Sequence, residues 1–96
     1  MASYSSDQLV AHATADGQMV PATQRARITG IQASASAASQ SIAFHNGTAN
    51  TAPLIAKFVF GTEGIDFYVP GSGILFEDGV FVDISANVTG VTITFT

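Results

Sequence analysis

Short runs of β-branched and aromatic residues recur along this chain roughly every ten residues, each closed off by glycine, proline, asparagine or aspartate. The clearest is the closing segment VTGVTITFT (88–96), where Val91, Ile93 and Phe95 alternate with Thr92, Thr94 and Thr96. A period of two puts the apolar set on one face of a strand, and threonine opposite it marks a half-exposed surface. SIAFHN (41–46) alternates in the same way, with Ile42 and Phe44 on one face and Ala43 and His45 on the other. Asn46-Gly47 follows as a turn dipeptide. IDFYV (65–69), ILF (74–76) and VFVDI (80–84) add further strands, the last two having the form of a tight hairpin on Asp78-Gly79. LIAKFVF (54–60) is nearly continuous in apolar residues, and its composition predicts a strand covered on both faces.

One segment breaks the alternation. In ARITGIQAS (26–34), Ile28 and Ile31 lie three apart with Gly30 between them, and a bulge at Gly30 would bring both isoleucines to the core face. ASASAAS (33–39) has neither an apolar stripe nor a cap and reads as a flexible loop or hairpin tip. Upstream, Leu9–Thr14 has the pattern of a weak first strand, and Asp16-Gly17 is a turn signal. The expected fold is all-β: an antiparallel β-sandwich or jelly-roll-like barrel of seven to eight short strands. Residues 1–24 form an N-terminal arm that holds the weak strand, and residues 25–96 form the β-sandwich domain.

Composition narrows the function. Of 96 residues, 47% are hydrophobic and only 10% charged, against about 25% charged in an average soluble domain. Such a surface is most simply satisfied by burial against another subunit, because interface cores are depleted in charge. The net charge of −4, with Arg25 and Arg27 the only neighbouring cations, provides no footprint for nucleic acid. No cysteine is present, which excludes disulfides, thiolate metal sites and thiol nucleophiles. The start MASYSSDQLV lacks the basic and apolar regions of a secretory signal. No apolar run approaches the ~20 residues of a membrane helix, so a soluble product made in the cytoplasm is expected.

Catalysis needs a nucleophile, a base and an electrophilic stabiliser in one place. His12 and His45 carry no evident partner, and no nucleophile motif is present. Glu77, Asp78 and Asp83 flank one turn and Glu63 and Asp66 another, but neither group has the spacing of a calcium loop. Gly71-Ser72-Gly73 precedes a strand, so it lacks the helix N-terminus that makes glycine loops bind phosphate. Asn46-Gly47-Thr48 and Asn87-Val88-Thr89 match the glycosylation acceptor pattern, by chance in a chain without a secretory signal. The chain is accordingly expected to be no enzyme, with no catalytic, cofactor-binding or metal-binding residues and no cofactor. Adjacent Phe67 and Tyr68 point to opposite faces of a strand, as does Phe81 relative to Val80 and Val82. The second face must be covered by another sheet or another subunit.

From Arg27 to the C-terminus, about seventy residues, the layout resembles small virion proteins of tailed bacteriophages, marine and cyanobacterial phages among them. It comprises an opening RITGI, a small-residue loop, a strand ending in HNGT, an FVF strand, the block YVPGSGILFEDGVFVDI and the closing VTGVTITFT. Within the block, Pro70, Gly71, Gly73, Ile74, Phe76, Gly79, Phe81 and Val82 stand at the positions the resemblance rests on. These are turn and core residues, so no binding residue carries over. The resemblance implies a capsid decoration (cement) protein of the virion, a β-sandwich or jelly-roll module. It would sit on the head shell against the major capsid protein or another virion component, as a homotrimer. A tail, connector or fibre-associated module of the same virion is the structural alternative. A small carbohydrate-binding module, with Tyr4 or Tyr68 stacking on a sugar ring, is a third reading, and the absence of tryptophan weighs against it.

Overall fold

The computed structural model describes residues 9–96, and all regular structure in them is β. The strands are β1 (Leu9–Ala13), β2 (Gly17–Val20), β3 (Ala26–Ala35), β4 (Gln40–His45), β5 (Leu54–Phe60), β6 (Ile65–Tyr68), β7 (Ile74–Phe76), β8 (Val80–Ile84) and β9 (Val88–Phe95). Two antiparallel sheets result. Sheet A has the order β1-β9-β3-β6, with β7 also paired to β3, and sheet B has the order β2-β8-β4-β5. β1 pairs with β9, β2 with β8, β3 with β6 and β7, and β4 with β5. The chain is thus one long hairpin with its tip at residues 46–53, rolled so that successive stretches of the ribbon enter alternate sheets. That connectivity is a jelly roll.

The core lies where the two inner faces meet. Sheet A contributes Ile28, Ile31, Phe76, Val91, Ile93 and Phe95; sheet B contributes Val20, Ile42, Phe44, Phe60, Val80 and Val82, all buried. Phe44 stands at the centre, its ring edge-on to Phe58 at 6.2 Å and to Phe76 of the opposite sheet at 6.5 Å. Phe58 continues the contact to Phe67 of sheet A at 5.0 Å. Edge-to-face and tilted pairs of this kind add about 0.5–1.5 kcal/mol each beyond the area they bury.

The irregularity in β3 is a bulge. Ile28 pairs with Phe95 and Gly30 with Thr94, leaving Thr29 as the extra residue, and both isoleucines are fully buried. The bulged carbonyl of Thr29 accepts a 2.7 Å bond from the Val69 amide as the chain leaves β6. β6 and β7 lie end to end along the same edge of β3, at Gly30–Ala33 and Ala26–Ile28 respectively.

Several local patterns resolve differently from what the sequence suggests. Residues 9–20 belong to the sandwich rather than to an arm: β1 pairs with five residues of β9, and Val20 of β2 is fully buried. β2 is the strand the sequence does not announce, since GQMV shows no alternating apolar pattern. Residues 1–8 of the expected arm lie outside the described residues. Asp78-Gly79 is not a hairpin turn, because β7 belongs to sheet A and β8 to sheet B. It is a corner where Gly79, at φ 90°, passes so close to the Val20 and Pro21 carbonyls that a Cβ would lie 2.6 and 2.7 Å from them. Residues 33–35 extend β3, and only 36–39 form the passage to β4 in the other sheet.

A buried amide closes that end of the sandwich. The Gln40 side chain donates to the Ala38 carbonyl at 3.0 Å and accepts from the Ser85 hydroxyl at 2.7 Å and the Asn87 amide at 3.1 Å. Ser85 in turn accepts from the Ser41 amide at 2.9 Å. The β3–β4 and β8–β9 connections are thereby tied together with their polar groups paired, as burial requires.

Removing the central ring tests this packing. Phe44→Ala should cost about 3–5 kcal/mol, seen as a lower urea midpoint at unchanged denaturant dependence.

Candidate functional site

Each sheet has one face in the core and one outside, and the two outer faces differ in chemistry. On sheet B the strand β5 is an edge, paired only with β4. Its inward residues Phe58 and Phe60 pack on the core, but apart from Lys57 its outward ones are also apolar. Val59 is 68% exposed, Leu54 54% and Ile55 42%. A bulge opposite Phe44 and His45 leaves Ile55 unpaired and sets Leu54 across from His45. The apolar run of LIAKFVF therefore has one covered face and one open one, not two covered faces. Next to it, the outer row runs Phe81–His45–Leu54, then Asp83–Ala43–Lys57, then Ser41–Val59. Phe81 is half-buried there, between Val80 and Val82, which face the core. Lys57 is the one cation on the strand, so the edge has little charge to discourage pairing with another chain.

His45 ends β4, yet it is only 8% exposed. Its Nδ1 lies 2.9 Å from the Ala52 carbonyl, and because a carbonyl only accepts, Nδ1 carries the proton. Asn46 does not make a two-residue turn; its side-chain oxygen accepts from the Asp78 amide at 2.8 Å. The Gln18 amide donates to the carbonyls of Val20 and Gly47, both at 2.7 Å. These bonds fasten the hairpin tip at residues 46–53 onto β2 and the corner before β8. The imidazole of His45 is thus engaged in holding backbone.

The outer face of sheet A is polar. One row runs His12–Thr92–Gln32–Asp66 across β1, β9, β3 and β6, and the next runs Val10–Thr94–Gly30–Tyr68. His12 Nδ1 and Thr92 Oγ1 are 2.7 Å apart, and the Gln32 amide donates to Asp66 Oδ1 at 3.3 Å. Tyr68 is 71% exposed while its neighbour Phe67 packs inward, as their adjacency requires. The alternating threonines of β9 made the polarity of this face legible; its partners Gln32 and Asp66 were not, because only register brings them into one row.

The remaining candidates are dispersed. Glu77 and Asp78 are exposed at the corner before β8, Asp83 is on the outer face of sheet B, Glu63 is on the β5–β6 turn, and Asp66 is on sheet A. Among the described residues no three of His, Asp and Glu converge as metal ligands would. Gly71-Ser72-Gly73 is an exposed loop between two strands, with Gly71 and Gly73 at φ 74° and 81°. Asn87 is exposed, and its backbone caps Gln40 and Ser36. Tyr4 falls outside the described residues. Comparison with family models, with curated proteins and with solved structures gives no match.

Gly30 is where the polar face is most tightly set. A Cβ there would lie 2.5 Å from Thr94 Oγ1, with no backbone atom closer than 3.9 Å. Gly30→Ala should destabilise by about 1–3 kcal/mol. Thr94→Ala in the same chain should relieve most of that cost, which a double-mutant cycle by denaturant unfolding would measure as a coupling between the two sites.

Proposed function

We propose that this chain is a structural component of a tailed-phage virion, a capsid decoration (cement) protein that packs against copies of itself and against the head shell. The observation that carries this reading is the apolar outer side of the unpaired edge strand β5, with Leu54, Ile55 and Val59 exposed along it. In a chain with 10% charged residues, such a face supports association, because burying it removes apolar area from water at little cost in desolvated charge. A jelly roll supports the reading only by analogy, since the architecture occurs in viral capsid proteins but also in lectin domains. A homotrimer suits the geometry proposed here. If the β5 edge meets a different patch on the next copy, the contact is head-to-tail, and contacts of that kind form a ring such as a trimer where the rotation closes. Added contacts between shell subunits then resist the outward pressure of packaged DNA, with no chemistry required.

Sedimentation equilibrium tests the association. The wild-type protein should have the mass of a trimer, and Val59→Lys should shift it toward monomer with its fold unchanged, since an exposed substitution alters stability by only about 0.5 kcal/mol. A wild-type monomer, unaffected by Val59→Lys, contradicts self-association through this face. Absence of the protein from purified virions contradicts the location.

A further inference from the structure

The outer face of sheet A carries a second feature, independent of the assembly reading. Two adjoining hollows lie on it and share Gln32, Asp66 and Thr92. The larger, about 460 Å³, extends from His12 to Ser34 and Thr89; the smaller, about 190 Å³, is bounded by Tyr68, Gly30 and Thr94. Both are open surface depressions, and Tyr68 lines the smaller one. The depression has a cause in sequence. Gly30 and Gly90 occupy outward positions of β3 and β9 and supply no side chains, while Tyr68 and His12 stand on the flanking strands β6 and β1.

We infer that this trough binds a neutral pyranose sugar, stacked on Tyr68 and hydrogen-bonded through the Gln32–Asp66 pair. Tyr68 presents a ring 71% exposed, directly across from the bare backbone of Gly30. A sugar has an apolar C–H face for such a ring and hydroxyls around its rim. The Gln32 amide donates to the Asp66 carboxylate at 3.3 Å, and the side chains' remaining donor and acceptor sites stand together on the open face. The hydroxyls along the trough are already paired, Thr92 with His12, Ser34 with Thr89 and Thr94 with Thr29, and each keeps capacity for one further bond. The lining disfavours charged ligands. It contains no lysine or arginine for an anion, and a single carboxylate where a metal cation needs several. The trough is open, so affinity for one sugar is weak, near 1 mM. Many copies on one surface would convert that into firm attachment.

Nuclear magnetic resonance titration of the ¹⁵N-labelled protein with glucose, galactose, mannose and N-acetylglucosamine tests the inference. Sorbitol, which has the hydroxyls without the ring, and inorganic phosphate serve as comparisons. At least one pyranose should saturably move the amide resonances of Gln32, Asp66, Tyr68 and Thr92, and sorbitol and phosphate should not. Tyr68→Ala should weaken binding about tenfold, and Asp66→Asn should weaken it separately. Both side chains are exposed, so a preserved spectrum verifies folding. Absence of shifts with all four sugars, equal shifts with sorbitol or phosphate, or binding unchanged in both variants would overturn it.

Discussion

Two isoleucines three residues apart in a strand should face opposite ways, and here both are in the core. The bulge at Thr29 makes this possible, and much of the structure depends on it. β3 is the central strand of sheet A, paired with β9 on one side and with β6 and β7 on the other. With Ile28 and Ile31 both inward, the inner face is filled against Phe44 and its neighbours. The same shift sets Gly30, Gln32 and Ser34 outward, in register with Thr94, Thr92 and Gly90. One extra residue therefore sets both the core packing of sheet A and the chemistry of its outer surface. The bulged carbonyl is not left unsatisfied, since Val69 donates to it at the point where β6 gives way to β7.

Rolling a long hairpin into two sheets gives every ladder one inner and one outer face. The inner faces are chemically alike, built from valine, isoleucine and phenylalanine. The outer faces are not. Sheet A presents threonine, glutamine, aspartate and histidine, with Val10 and Tyr68 exposed beside them. Sheet B presents leucine, isoleucine and valine along the edge strand β5, a surface that gains from being covered.

The fold was legible in the chain to the extent that it is local. Alternation in 88–96 and 41–46 marks strands because a period of two has one physical cause, and the isoleucine spacing around Gly30 marks the bulge for the same reason. What alternation does not encode is the identity of the partner. Asp78-Gly79 has the chemistry of a hairpin turn, yet positive φ at a glycine serves equally well at a corner between sheets. LIAKFVF has the composition of a buried strand, but whether its second face is covered depends on neighbours far away in sequence. β2 shows no alternating apolar pattern, and its burial follows from pairing with β8. The Gln40 network and the Gln32–Asp66 pair join residues 45 and 34 positions apart, at distances no local pattern reaches.

The account rests on the outer side of β5 being covered by a second copy of the chain. Amide hydrogen exchange, followed residue by residue over a range of protein concentrations, addresses that directly. Amides on the free edge of residues 54–60 should exchange quickly in dilute protein and slow as concentration rises, while those of the central strands β3 and β9 stay protected throughout. Exchange in 54–60 that is independent of concentration, or slowing confined to β1 or β6, would contradict it.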